Sequence, residues 1–258
     1  MADIAVLSEP GRVFLARHSA QPFEPMTATL ALIQGIWAVD PKMARKILRT
    51  RIYATESSTL LAEGTIRVAA KRWNAGTSHS EIEKLLEEAR TRGSELVDVT
   101  GSGKQARESA HIEFSPKAPG TDSDWMTQLR DRLDAVPIDP LLPRFERSRV
   151  VAAALVLPDD TGTDETGWAV ALNQNVSNRT LHAEMILIEN WWRRQGCKLP
   201  AKTRLFVTLQ CCRMCAAAVL HVCENPGDIE VIYGEPDPGP MAAQTMLQKY
   251  GRELPYLK

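Results

Sequence analysis

The amino-acid sequence predicts an α/β protein. A C-terminal three-layer α/β/α domain on a mixed sheet follows a smaller α-rich α+β domain. Three observations point there. The chain has 258 residues, which makes one large domain or two ordinary ones. A stretch from about Gly101 to Asp124 is rich in Gly, Ser, Pro and charge (GSGKQARES, then PKAPGTDSD), as segments between domains are. Beyond it the patterning runs helix, strand, strand, helix, strand, helix, strand, helix. That order gives a mixed sheet covered by helices on both faces. The expected division is a domain over residues 1–118 and a second over 119–258.

In the first part, Ile4–Leu7 and Val13–Arg17 are apolar runs around Pro10-Gly11, the pattern of a hairpin. Asp40 and Pro41 supply an N-cap and a first-turn proline for a helix over Pro41–Arg51. Helices are also predicted over Thr59–Trp73 and Ser80–Arg92. In the latter, Ile82, Leu85, Leu86 and Ala89 make the helical stripe and Gly93 the stop. In the second part, Trp125–Val136 is an amphipathic helix capped by Asp122 or Ser123. Val150–Leu157 is a strand-sized apolar run, followed by a polar turn over Thr161–Thr166 and a strand over Trp168–Leu172. The loop Asn173–Leu181 leads into helix Ala183–Arg194. Strand Leu205–Leu209 feeds helix Arg213–Val222, strand Glu230–Tyr233 follows, and helix Met241–Tyr250 comes last.

Composition narrows the function classes. Hydrophobic residues are 44% and charged residues 24%, ordinary for a globular protein. The formal net charge of −1 gives no overall positive field to attract nucleic acid. No stretch approaches the roughly 18 apolar residues of a membrane span, and MADIAVLSEPGRVF lacks the basic-then-apolar pattern of a secretory leader. The five cysteines (Cys197, Cys211, Cys212, Cys215 and Cys223) are odd in number and confined to the last quarter. That argues for a reducing, cytoplasmic location and for metal binding or thiol chemistry rather than a disulfide framework.

Two short motifs carry the chemistry: His182-Ala183-Glu184 and Cys212-Arg213-Met214-Cys215, each at a predicted helix start. Cys212 and Cys215 are three apart, so both sulfurs leave one face of a first turn, where the helix dipole favours thiolate. With His182 they form a Cys2His set. Three protein ligands leave a Zn2+ ion one open position, the catalytic arrangement. The two thiolates cancel the charge of the metal, which lowers the pKa of water and suits a neutral aromatic base. Glu184, two residues past His182, is placed to take a proton from that water and deliver it to a ring nitrogen and a leaving amine.

H-A-E followed by C-x-x-C resembles the signature of the cytidine deaminase-like superfamily, the known example of zinc-dependent base deamination. The segment Cys212–Ala218 continuing to His221 resembles the zinc helix of bacterial tRNA adenosine deaminases. Val231–Gly234 with Asp237-Pro238 resembles the strand and turn after it. The resemblance covers roughly Trp125 to Tyr250. It implies a zinc-dependent hydrolase acting on the C–N bond of a cyclic amidine, with zinc-activated water attacking the amine-bearing carbon of adenine or cytosine, in RNA. It further implies substrate contacts from Asn173, with Asn175 as the alternative, and from the Ala183 N–H. A homodimer is implied as well, and a helix after the Tyr233 strand marks the branch acting on nucleic acid. The sequence departs from the pattern at Cys211, where the family has proline, at Gln210, and at Leu181.

Two other functions stay open at this point: deamination of free nucleosides, bases or related heterocycles, and a non-catalytic zinc-stabilised binding protein. The latter needs a fourth protein ligand, from Cys211, Cys197 or Cys223. Trp191-Trp192-Arg193-Arg194 and the run Lys42, Arg45, Lys46, Arg49, Arg51 read as ordinary core and solvated helix faces.

Overall fold

The computed structural model describes residues 2–19, 21–22, 24–47, 50–56, 59–69, 72–103, 112–115, 121–136, 151–158, 168–174 and 178–256. The chain divides into two compact units, Met1–Ser109 with Ser177–Thr180, and Ala110–Val176 with Leu181–Lys258. The expected boundary at 118–119, the polar turn over 161–166 and Asn175 lie outside the described residues.

The first unit opens with the expected hairpin. Strands β1 (Asp3–Glu9) and β2 (Arg12–His18) pair antiparallel in the register Leu7↔Phe14. Gly11 turns the chain at φ 77°, a left-handed conformation that costs glycine little. Helix α1 (Ala28–Val39) follows, capped by Thr27, and α2 (Pro41–Ala44) by Asp40. Then come β3 (Arg51–Ala54), α3 (Leu60–Ala69), β4 (Arg72–Asn74), α4 (His79–Thr91) and β5 (Glu95–Asp98). The sheet order is β4-β3-β1-β2-β5. Only β1 runs against its two neighbours; β3–β4 and β2–β5 are parallel.

Several expectations change here. The helix from Pro41 stops at Ala44, and Arg51 opens a strand. Ile52 and Ala54, alternate residues, are buried on β3, and Ile52 pairs with Leu7, so sheet burial overrides helix propensity. Trp73 likewise ends in a strand rather than a helix. Helix α1 shows no amphipathic period because residues on all its sides are buried, including Leu32, Ile33, Ile36 and Trp37.

The second unit contains β6 (Ile112–Ser115), α5 (Asp122–Asp134), β7 (Ala152–Val156) and β8 (Trp168–Leu172). It continues with α6 (Ala183–Gln195), β9 (Thr203–Leu209), α7 (Arg213–His221), β10 (Ile229–Glu235), α8 (Met246–Tyr250) and β11 (Arg252–Pro255). The sheet order is β11-β10-β9-β7-β8-β6, with β9, β10 and β11 parallel and β7 antiparallel to both neighbours. This is the mixed sheet expected.

The three layers follow from alternation along β7. Ala152 and Ala154 join Phe206 and Ile232 in a core under α5, where Trp125 stacks on Phe206 at 5.7 Å between ring centroids. Ala153 and Leu155 are equally buried and so face the other layer, where α6 packs on β7 and β8 and α7 packs on α6. Three details differ from expectation. The cap of α5 is Thr121, in a capping box with Asp124, rather than Asp122 or Ser123. β6 lies within the stretch read as loop. The last helix begins at Met246, where the Thr245–Gln248 capping box starts it, and β11 follows it.

Candidate metal centre

Helix starts ordinarily carry Ser, Thr, Asp or Asn, whose side chains cap the first turn. Helices α1, α2, α4, α5 and α8 obey this, with Thr27, Asp40, Ser78, Thr121 and Thr245. Helices α6 and α7 do not. Their N-caps are His182 and Cys212, and neither side chain makes a capping hydrogen bond. Those side chains turn to each other instead.

His182 Nδ1 lies 3.4 Å from both Cys212 Sγ and Cys215 Sγ, and the two sulfurs are 3.5 Å apart. Among the described residues these three form the group able to hold a metal ion, with ligand atoms all within 4.8 Å of one another. Zn–S bonds of about 2.3 Å and Zn–N bonds of about 2.0–2.1 Å in a tetrahedron place the donors roughly 3.6–3.8 Å apart, so the set fits zinc with a small expansion. Cys211, Cys223 and Cys197 stay outside the group. Three protein ligands would be the open, catalytic number; among the described residues no fourth joins the group, as a closed structural site would require.

Electrostatics agree with that use. A hydrogen bond shared with Cys215, aided by His182, holds the Cys212 thiol well below its ordinary range despite burial. Burial pushes the Cys215 thiol up, and the hydrogen bond between the two sulfurs favours one thiolate shared by the pair. Both lie at the N-terminal end of α7, where the dipole adds to thiolate stability.

Glu184 sits in the first turn of α6, 3% exposed. Burial raises its pKa, partly opposed by His182 and by a hydrogen bond with the Cys211 thiol. Its Oε2 is buried with no hydrogen-bond partner. A buried carboxylate oxygen left bare costs on the order of 1–3 kcal/mol, which a structural glutamate would avoid.

The residues expected to contact substrate have mixed placements. Ala183 is fully buried and is the first residue of α6, where the N–H has no intrahelical acceptor. Asn173 ends β8, and its Oδ1 accepts from Val151 N at 2.9 Å, tying the start of β7 to the end of β8. The residue that sequence reasoning missed is Glu253, on β11, whose carboxylate accepts from Gln210 Nε2 at 3.2 Å. Nothing in the sequence links it to Gln210, because β11 itself was not foreseen.

Residues 143–256 match the family model described as Bd3614-like deaminase. This stretch is similar to that deaminase family. Among solved structures, a chain from biochemical and structural studies of A-to-I editing by tRNA:A34 deaminases at the wobble position of transfer RNA is 24% identical, with a TM-score of 0.36. That alignment covers 52% of this chain and 98% of the other. The dCMP deaminase from the cyanophage S-TIM5, in apo form, is 15% identical with a TM-score of 0.29, over 54% of this chain and 98% of that one. The comparison with curated proteins gave no match. The family match spans His182, Glu184, Cys212 and Cys215 together, and residues 1–142 lie outside it. Among the described residues, no helix is long and apolar enough to cross a membrane.

Proposed function

We propose that the protein is a zinc-dependent hydrolytic deaminase of a nucleobase, acting on the exocyclic amine of adenine or cytosine in RNA. The observation that carries it is the bare, buried Oε2 of Glu184 in the same first turn that presents His182 to Cys212 and Cys215. His182, Cys212 and Cys215 would hold the zinc. When bound, the ion supplies Lewis acidity that makes water a nucleophile near neutral pH.

The chain's own groups do the rest. Glu184 accepts a proton from water as the water oxygen bonds to the amine-bearing carbon. The carboxyl delivers that proton to the ring nitrogen, then takes the remaining proton of the added hydroxyl and passes it to the amine, so that the C–N bond breaks, the C=O forms and ammonia leaves. Its raised pKa suits a group that must both take and give a proton. The Ala183 N–H orients the base, and Asn173, fixed by its bond to Val151, borders the sugar side. A cytoplasmic location and a homodimer complete the reading.

The test is a mass-spectrometric nucleoside comparison. Wild type and Glu184→Ala are each incubated with total cellular RNA, and digests are scanned for inosine and uridine. The expected outcome is a new inosine or uridine signal with wild type alone, a loss of at least about 10²-fold for a missing proton-transfer group. Zinc content should be equal in both proteins. No new base from either protein, with ammonia released from free nucleosides by wild type, would replace RNA by small heterocycles as the substrate.

A further inference from the structure

Metal binding is one chemistry open to two thiols in contact, and a bond between them is another. Cys212 Sγ and Cys215 Sγ stand 3.5 Å apart. A disulfide sets its sulfurs about 2.05 Å apart, so the gap to close is about 1.5 Å. Cys212 is the N-cap of α7, with φ −73° and ψ 168°, and its side chain makes no capping bond. That extended backbone leaves it rotamers that the helix interior disfavours. Cys215 is the third residue of the helix. The turn between them is held, because Ala216 N donates to Cys212 O at 2.9 Å and Arg213 N to Met241 O at 2.8 Å. Closure is therefore a rotation of side chains on a fixed turn.

The other cysteines are poor partners for this bond. Cys211 is the neighbour of Cys212, and consecutive Cα atoms stand about 3.8 Å apart, short of the roughly 4.4–6.8 Å that a disulfide spans. Cys223 lies past the end of α7, roughly 12 Å along the helix from Cys215 at about 1.5 Å per residue. Cys197 follows the far end of α6, roughly 20 Å from the His182 end on the same rise. Exposure then ranks the pair. Cys212 is 7% exposed and Cys215 0%. A small oxidant meets Cys212 first, and Cys215 lies behind it to resolve the product.

We propose that Cys212 and Cys215 are an oxidisable dithiol, closed to a disulfide by peroxide, and that the disulfide and bound zinc exclude each other. The disulfide is read from the two sulfurs alone; the exclusion rests on the reading of His182, Cys212 and Cys215 as metal ligands. Cys212 Sγ attacks one peroxide oxygen, the O–O bond breaks, and hydroxide leaves with the thiol proton as water. Cys212 is then a sulfenic acid. Cys215 Sγ attacks that sulfur, the S–O bond breaks, and hydroxide leaves with the Cys215 proton as a second water. The two thiols give up two electrons and two protons, and peroxide is reduced to two waters. The metal ligand is a thiolate, which neither sulfur of a disulfide is. Sulfurs held on zinc in turn stay about 3.8 Å apart, too far to bond.

The experiment uses the reduced full chain, zinc-loaded and chelator-stripped, with hydrogen peroxide as the probe. Intact mass, peptide mapping and a chromophoric zinc indicator are read together. The stripped form should lose two hydrogens in mass, with the bridge mapped to Cys212 and Cys215, and a dithiol reductant should restore both thiols. The zinc-loaded form should close the bridge only as zinc is released, one ion for each bridge. Cys215→Ser should stop at a sulfenic acid on Cys212, captured by dimedone, and Cys211→Ala should still form the bridge.

Cys212 carrying two or three oxygens with no bridge would overturn the proposal. So would a bridge that maps to Cys211, Cys197 or Cys223. A zinc-loaded form that closes the bridge and keeps its zinc would overturn the exclusion. Should the stripped form not fold, as circular dichroism would show, the zinc-loaded form decides alone, by a bridge with zinc release or by oxidised Cys212 without one. A full chain that binds no zinc and still closes the bridge would overturn the metal reading and support the dithiol.

Discussion

Glu56 follows β3 and accepts from the Ala28 and Thr29 N–H groups, at 2.8 and 3.1 Å, at the start of α1. It is 6% exposed, and burial, reinforced by Asp3, raises its pKa above the ordinary 4.5 in spite of those bonds. The folded chain therefore holds the proton more tightly than the unfolded chain. The associated stabilisation is complete below about pH 4.5 and is lost as pH rises through the folded pKa. Urea unfolding of the first unit, followed from pH 4 upward, should show its midpoint falling across that window, and Glu56→Gln should flatten the fall. Parallel curves for the two proteins would assign the pH dependence elsewhere. The same physics separates what the sequence revealed at this scale from what it hid. His182, Cys212 and Cys215 stood out by residue type and spacing, and the structure brings these three ligand-type side chains together, with Glu184 in the first turn beside them. Glu56 and Glu253 carry no such spacing. Their roles come from burial and from partners far away in the chain.

At the scale of elements, Gly35 shows propensity and packing pulling in opposite directions. It lies within α1, where alanine is favoured over glycine by about 0.5–1 kcal/mol. A Cβ there would stand 2.6 Å from Val99 O and 2.7 Å from Val99 Cβ, and the first of these is backbone that cannot swing aside. Gly103 meets Gln34 Cβ at 2.6 Å in the same way. Gly103, read in the sequence as part of an inter-domain loop, thus serves close approach to α1. Overpacking typically costs about 1–3 kcal/mol, so it wins. Gly35→Ala should lower the stability of the first unit by at least about 1 kcal/mol in chemical unfolding, whereas an unchanged or higher midpoint would show that the 99–103 segment yields. Elements were legible where one face is buried: β8 matches residue for residue, and the starts of α6 and α7 fall as expected. They were obscured where a helix is buried all round, as α1 is, and where a strand is short and polar, as β11 is with Arg-Glu-Leu-Pro. Pairing with β10 makes β11 a strand, and no local pattern announces such a partner.

Across the whole molecule, the ligand set joins two segments of the second unit, the start of α6 and the β9–α7 corner. The unfolded chain does not hold these donors in place, so the proposed zinc binding would be linked to folding of this unit. With free zinc at roughly 100 times its Kd, the native second unit gains about 2.7 kcal/mol. Calorimetry should therefore show one transition that rises on adding zinc and falls on adding a chelator. Cys215→Ser should lose most of that response, because it leaves two donors where three are needed. Glu184→Ala should keep it, since Glu184 stands outside the ligand group and its bare oxygen is available for proton transfer. The contrast decides between roles that activity alone would merge. Were Glu184→Ala to lose the zinc response as fully as Cys215→Ser, the carboxylate would be a fourth ligand of a closed site, and the open position on which hydrolysis depends would not exist.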